Sequence, residues 1–424
     1  MDKYDEEQSS SVMKEYIDVN VYDAAIRRLE FIFNEFENIY FSVSFGKDSS
    51  MLIQLAIDVA RRMGKLPLNV LYVDFEAQYE ATIAHAERMF ARREEINAFW
   101  VCLPISLRNS VSVYEPQWIC WDPEQKDIWV RDLPDHPGVI SDVNYFPFYR
   151  YAMEFEDFII DFSKWFHNDW EDHKKGKTAC GVAIRTDESL NRFRTLMSDS
   201  KIRYKGERWT TQVVEDIYNF YPIYDWRTED VWTAVGKNEY DYNKIYDAMF
   251  IGGVSIHQAR LCQPYGNDQR RGLEFFQRFE PHTWGKIVRR VSGANFGSLY
   301  ANSFLLGHRK VILPEGHTWQ SYTNFLLDTL PRFEAEWFKS KFKVFIKWWE
   351  EHRGWKLEDF FDAIPPKDHP AWIRPDGTRY RNLPAWERMA KVIIKNDKIC
   401  KGLTFSQSVY LYDKYKEFKE LYGV

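Results

Sequence analysis

The chain has 424 residues, with 57 Lys and Arg against 63 Asp and Glu and a formal net charge of −6. At roughly 100 to 200 residues per domain this length supports two or three domains, and the acidic balance argues against bulk attraction to nucleic acid or to an anionic membrane. Aromatic residues make up 17% of the sequence, far more burial-prone surface than a disordered chain carries. No apolar run reaches the length of a membrane span, and the segment Met1 to Ser11 is acidic and polar, so a cytoplasmic protein without a membrane segment is expected. Cys102, Cys120, Cys180, Cys262 and Cys400 are scattered with no C-x-x-C spacing, which indicates neither a disulfide framework nor a common zinc knuckle.

Tyr22, Ala25, Ile26, Leu29, Ile32, Phe33 and Phe36 recur at helical spacing and predict a helix over 21–37. A β-rich run from Ile39 to Ser44 follows, Phe45-Gly46-Lys47-Asp48 breaks it, and Ser49 to Met63 predicts a helix closed by Gly64. A strand at 68–73, a helix at 78–95 and a strand at 98–103 continue the alternation, which argues for a parallel sheet with helices on both faces. From Pro104 to Arg150 the periodicity stops; Trp118, Trp121, Trp129 and several prolines predict an irregular insertion at the sheet's edge, where substrate contacts often lie. A helix at 154–168, a strand at 178–183, a helix at 188–197 and a β-rich run at 212–224 complete an α/β domain expected to end near Gly236. Beyond it, Gly-rich stretches at 251–253 and 292–297 separate mostly helical, tryptophan-rich segments. The expected division is 1–236 for the α/β domain, with 104–150 as its insertion, and 237–424 for a helical domain.

Ser44-Phe45-Gly46-Lys47-Asp48-Ser49-Ser50 lies between a strand and a helix start, where backbone N–H groups and the positive helix end converge on phosphate. Lys47 adds a mobile charge, Ser44 and Ser49 offer hydroxyl donors, Gly46 lets the backbone approach an anion, and Asp48 can either cap the helix or hold a magnesium ion. The loop is not a Walker A sequence, because the earlier glycine is missing and Lys47 is followed by Asp48. Val73-Asp74 ends the second strand and is followed by Glu76, Gln78 and Tyr79, at the edge where open α/β folds bind ligands; Asp74 can equally cap the next helix. Gly181 to Arg192 gathers Arg185, Asp187, Glu188 and Arg192 at another strand-to-helix junction, and arginine's planar fork suits phosphate or sulfate oxygens. A capped helix with a Glu188–Arg192 pair explains part of the same pattern.

These segments resemble the PP-loop ATP pyrophosphatases (adenine nucleotide alpha hydrolase-like proteins), whose first strand ends in S-x-G-K-D-S, and the phosphoadenosine phosphosulfate (PAPS) reductases, with their G-x-R-x-x-E-S-x-x-R and P-L-x-D-W-T-x-x-D-V-W segments. Here the second has one extra residue between Gly181 and Arg185, and the third reads Tyr221-Pro222-Ile223-Tyr224-Asp225-Trp226-Arg227-Thr228-Glu229-Asp230-Val231-Trp232. The resemblance implies a parallel-sheet nucleotide domain in which Ser44, Phe45, Gly46, Lys47, Asp48, Ser49, Ser50, Val73, Asp74, Gly181, Arg185, Asp187, Glu188 and Arg192 bind ATP, or PAPS in its place. It assigns the Val73-Asp74 edge to the adenosine. Lys47 and Arg185 are the expected stabilisers of charge in cleavage of ATP between its α and β phosphates, with Asp48 on magnesium, an adenylylated product and pyrophosphate release. The E-C-G-L-H segment through whose cysteine PAPS reductases act is absent from this chain, which makes thiol-dependent reduction the least favoured reading, and no iron–sulfur cluster is expected.

Trp284-Gly285-Lys286, Val291 to Phe296, Leu313 to Trp319 and Ile394 to Gln407 look like the DUF3440 region that follows a PAPS reductase-like domain in the IbrA family of prophage co-activators. That resemblance implies a phage-related, defence or regulatory setting with a ParB-like partner of the IbrB type, and hence an alternative in which the nucleotide is sensed rather than cleaved. Residues 337–401 hold 15 Lys and Arg against 9 Asp and Glu, interleaved with tryptophans, a composition suited to tracking a nucleic-acid backbone or to an amphipathic helix with a wet face. On that helix Phe338, Phe342, Phe345 and Trp349 are expected to be buried, leaving Trp348 and a Lys339, Lys343, Lys347 stripe outside.

Overall fold

The computed structural model of the chain describes residues 17–111, 117–188, 190–198, 201–266, 273–291, 294, 313–374, 377–380, 382–394, 397, 400–403, 414, 417, 418, 421 and 422. Most of the glycine-rich stretch at 292–297 lies outside them. The chain divides into two compact units, Met1–Asn295 and Phe296–Val424, so the boundary expected near Gly236 falls inside the first unit.

In that unit α1 (Val21–Glu35), capped by the Asn20 side chain on the Asp23 N–H at 2.9 Å, leads into β1 (Asn38–Val43). Next come α2 (Lys47–Met63), closed by left-handed Gly64, then β2 (Leu68–Val73), α3 (Glu80–Phe90) and β3 (Ile96–Val101). The segment 104–150 is more ordered than its composition suggests: β4 (Ile105–Arg108) and β5 (Gln117–Cys120) pair antiparallel, and β6 (Val139–Ile140) joins the main sheet beside β3. Then follow α4 (Phe155–Asn168), β7 (Thr178–Val182), α5 (Leu190–Met197), β8 (Thr210–Val214) and β9 (Ile217–Phe220).

The sheet order is β6-β3-β2-β1-β7-β9-β8, parallel throughout except for β8. That exception is local: two residues, Glu215 and Asp216, separate β8 from β9, and a link this short can only make an antiparallel hairpin. Successive residues of a strand point to opposite faces, and Tyr40 and Phe41 at the centre of β1 show what covers each. Tyr40 meets Phe162 and Phe166 of α4 at ring separations of 5.3 and 4.9 Å, whereas Phe41 meets Phe33 of α1 at 6.4 Å. Helices therefore cover both faces, as the alternation of elements predicts.

The first unit continues through α6 (Thr228–Lys237), α7 (Ile245–Ile251), α8 (Leu273–Phe279) and α9 (Pro281–Arg290). Two contacts to the segment after β2 tie α8 and α9 to it. Tyr79 stacks on Phe276 of α8 at 3.7 Å, and Arg290 of α9 donates to the carboxylate of Glu76 at 2.7 Å, both charges being buried.

The second unit holds α10 (Trp319–Thr329), α11 (Arg332–Arg353) and α12 (Trp386–Ile394). Phe338, Phe342, Phe345 and Trp349 form the buried face of α11, and Trp348 is 44% exposed, as their spacing predicts. In the lysine stripe Lys339 pairs with Glu336 at 3.4 Å and Lys347 with Glu351 at 3.5 Å, so the helix neutralises part of its own basic face. No helix among the described residues is long and apolar enough to cross a membrane.

Candidate functional site

After β1 the chain lays β2, β3 and β6 to one side, then returns to add β7, β9 and β8 on the other. The reversal leaves a crevice at the carboxyl ends of β1 and β7, the place where ligands of open α/β sheets bind. A cavity of about 360 Å³ lies there, floored by Ser42, Val43, Val182 and Ala183. Ser44, Gly46, Lys47, Asp48 and Ser49 line it, together with Val73, Glu188 and Arg192. Three segments widely separated in sequence thus converge, as expected.

The loop turns sharply because Phe45 adopts a left-handed backbone at φ +52, a conformation that costs a non-glycine residue on the order of 1 kcal/mol and persists only where surrounding structure holds it. Its ring packs against Tyr72, His85 and Phe90 at 4.8, 5.6 and 5.2 Å. Phe45, expected at the ligand, therefore serves as a core anchor whose burial sets the loop's direction. Gly46 is not the strained position; its φ is −75, and an added Cβ would meet Tyr246 Oη at 3.4 Å, an ordinary contact. Ser44 and Ser49 stand with their hydroxyls 3.3 Å apart. Ser50 turns away, its hydroxyl 2.8 Å from His85 Nε2 in the core.

Lys47 lines the cavity but is only 3% exposed rather than solvated. Its Nζ donates to the Ala259 carbonyl at 3.1 Å and lies 3.5 Å from Asp48, while its backbone N–H donates to Tyr246 Oη at 3.0 Å. Burial lowers its pKa, Asp48 opposes that, and the Arg185 guanidinium adds to the lowering. Asp48 in turn accepts from Arg185 Nε at 2.6 Å. The expectation that Arg185 and the loop share one region holds, but Arg185 is 1% exposed, lies outside the cavity wall, and spends its other nitrogens on the Trp226 carbonyl and Thr228 at 3.3 and 3.4 Å. In this structure its guanidinium holds Asp48 rather than lining the cavity. Asp48, committed to two cations, joins no group of three acidic, imidazole or thiol ligands among the described residues. The described residues do not fit a metal held by the protein alone.

Other expected residues also move out of the site. Asp74 is fully buried; Oδ1 accepts from the Glu76 N–H at 3.0 Å, and Oδ2 accepts from Trp100 Nε1 at 2.8 Å and pairs with Arg131. It caps no helix, since α3 begins after Tyr79. Gly181 sits opposite Phe41 in the sheet, and an added Cβ would come within 2.4 Å of that ring, so packing explains this glycine. Asp187 is exposed, 3.8 Å from Arg185. Glu188 and Arg192 do line the cavity and pair with each other. Burial and the neighbouring Arg260 guanidinium lower the pKa of Arg192.

The cavity's remaining wall was not legible in the sequence. Phe75 and Phe155 line it and meet edge to face at 5.0 Å, and Tyr246, Arg260, Leu261, Cys262 and Gln263 approach from the segment after α6. These last residues lie some two hundred positions from the loop in sequence and carry no spacing signal; tertiary contacts such as those of Lys47 with Tyr246 Oη and the Ala259 carbonyl bring them near.

His85, behind the loop, provides a pH test of this architecture. Burial depresses its pKa to about 4 from 6.5, Asp241 pulls it up and Arg88 down. The folded state therefore favours the neutral ring, and the unfolded chain binds the extra proton below pH 6.5. The resulting stabilisation, roughly 3 kcal/mol, is complete above pH 6.5 and lost as pH falls toward 4. Between pH 7 and 4 the wild-type chain is expected to lose that much more stability in urea titrations than His85→Gln; parallel losses in both would show that His85 does not titrate this way.

A lysine- and serine-bearing loop at the switch point of a parallel sheet, sharing its cavity with Arg192 from the junction after β7, defines a protein of the PAPS reductase-like PP-loop class. Residues 173–259 match the phosphoadenosine phosphosulfate reductase domain, and residues 253–371 match the domain of unknown function DUF3440. The chain is 33% identical over 415 residues to the uncharacterized protein YbdN of Escherichia coli strain K12, covering 96% of each, and it belongs to that protein's family. Among solved structures it is similar to a PAPS reductase from Candida auris in a phosphate complex, at 11% identity and TM-score 0.27 over 55% of this chain and 85% of that one. It is also similar to FMN adenylyltransferase of Candida glabrata in complex with FMN and an ATP analogue, at 11% identity and TM-score 0.31 over 55% and 63%.

Proposed function

We propose that the cavity binds ATP and directs cleavage between its α and β phosphates. An acceptor nucleophile forms a bond to the α phosphorus, the bridging bond to the β phosphate breaks, and pyrophosphate leaves with that electron pair, so the acceptor is adenylylated. The observation that carries this reading is that one cavity is lined both by cations and hydroxyls, Lys47, Arg192, Arg260, Ser44 and Ser49, and by an aromatic pair, Phe75 and Phe155. The cations suit phosphates, and the aromatic pair suits a purine. Lys47 is the residue placed to neutralise charge on the phosphates during transfer. Arg185 acts through Asp48 as a positioning residue.

Cys262 supplies a readout independent of turnover. It is half-buried and lines the cavity, whereas Cys102, Cys120, Cys180 and Cys400 are buried. With ATP present, alkylation of Cys262 by iodoacetamide is expected to slow several-fold, and pyrophosphate is expected to accumulate once an acceptor is supplied. An unchanged alkylation rate at saturating ATP counts against the cavity as the nucleotide site. Protection without pyrophosphate from any acceptor favours the sensing alternative, in which the bound nucleotide controls a ParB-like partner. The basic, tryptophan-bearing helix α11 remains the candidate for any nucleic-acid contact.

A further inference from the structure

The cations of the cavity lining fall into two ion-pair groups. On the loop, Asp48 is taken up by Arg185 at 2.6 Å and lies 3.5 Å from Lys47, the cation of that group that lines the cavity. In the other group Glu188 is paired with Arg192, its Oε1 stands 3.9 Å from Arg260 Nη2, and both arginines line the cavity. A carboxylate shared by two guanidinium groups holds both in one region of the lining.

Arg260 does not belong to a loose loop. Ala259 beside it is buried and accepts from Lys47 Nζ at 3.1 Å. Three residues on, Gln263 donates to the Arg108 carbonyl at 2.8 Å and accepts from the Tyr265 N–H at 3.0 Å, and Tyr265 is anchored through its hydroxyl to the Ile287 carbonyl at 3.0 Å. The stretch between these anchors lines the cavity, and the Arg260 side chain there is 33% exposed, open to a ligand. It also lies within residues 253–371, the part of the chain that matches DUF3440.

Resting on the nucleotide reading above, we propose that Arg260 and Arg192 form a second anion subsite, so that the beginning of the DUF3440 region completes the site and selects a polyphosphate chain over a single phosphate. Two groups of cations match a ligand that carries charge on successive phosphates; a monophosphate satisfies only one of them.

The test compares ATP, AMP and tripolyphosphate on the full chain by calorimetry, for the wild type, Arg260→Ala and Arg260→Lys. Arg260→Ala is expected to lose about tenfold or more of its affinity for ATP and tripolyphosphate and to keep its affinity for AMP, with Arg260→Lys recovering part of the loss. Unchanged ATP affinity in Arg260→Ala overturns the subsite, and so does an equal loss for ATP and AMP, which marks a structural role. A wild-type chain that binds tripolyphosphate but neither nucleotide overturns the nucleotide reading alone, and the Arg260→Ala loss then still decides the subsite. Binding of none of the three overturns both.

Discussion

Lys47→Ala is expected to lower ATP affinity by roughly 100-fold, on the order of 3 kcal/mol, while the chain keeps a cooperative thermal transition. The side chain lies in the cavity wall with its ammonium on the Ala259 carbonyl and near Asp48, so a bound phosphate competes with those partners for a charge that is already desolvated. In that setting a charge-assisted hydrogen bond is stronger than at an exposed site. Truncation leaves Asp48 paired with Arg185, and the Ala259 carbonyl loses one donor, so the structural cost is about 1–2 kcal/mol. Calorimetry with ATP and a melt on the same sample separate the two effects. Unchanged affinity with the fold intact removes Lys47 from the binding machinery; loss of the transition makes it a structural lysine.

The alternation of strands and helices made the parallel sheet readable, because each β-rich run is short and each helix carries a periodic apolar face. β2 runs over Leu68–Val73, the span its hydropathy predicts, and helices flank both faces. The loop from Ser44 to Ser49 was legible for a different reason: its residue types are unusual for a plain turn. Individual roles inside the motifs were harder to read, since a sequence cannot say which way a side chain faces. Phe45, Ser50, Asp74 and Gly181 all sit in segments that reach the cavity, yet their side chains, or for Gly181 the space a side chain would fill, turn into packing or buried pairs. Arg260 and Phe155 were invisible because their proximity to the loop depends on how distant elements fold over it. The extent of the first unit was hidden likewise, being fixed by contacts such as Tyr79 with Phe276 rather than by a change in composition.

Arg290→Met is expected to destabilise the first unit by about 3–5 kcal/mol, because it strands the carboxylate of Glu76 in the core. Both side chains are essentially excluded from solvent, and the guanidinium makes two contacts to that carboxylate, at 2.7 and 3.0 Å, together with one to the Ile119 carbonyl at 2.6 Å. Glu76→Ala is expected to cost at least as much. Its oxygens also accept from the backbone N–H groups of Trp121 and Val130, at 2.8 and 2.9 Å, so truncation orphans two buried donors as well as Arg290. A left-handed backbone at Glu76, φ +64, adds to the dependence on these contacts, since the surrounding bonds are what hold it there. Combining Glu76→Ala with Arg290→Met removes the unpaired charge, so the double variant is expected to be less destabilised than the sum of the two singles. Urea titrations of the four proteins, followed through tryptophan fluorescence, test the coupling; strict additivity would mean that the pair does not act as a unit. Because Phe75 and Gln78 of the same segment line the cavity, the single variants are further expected to bind ATP more weakly at temperatures where they remain folded.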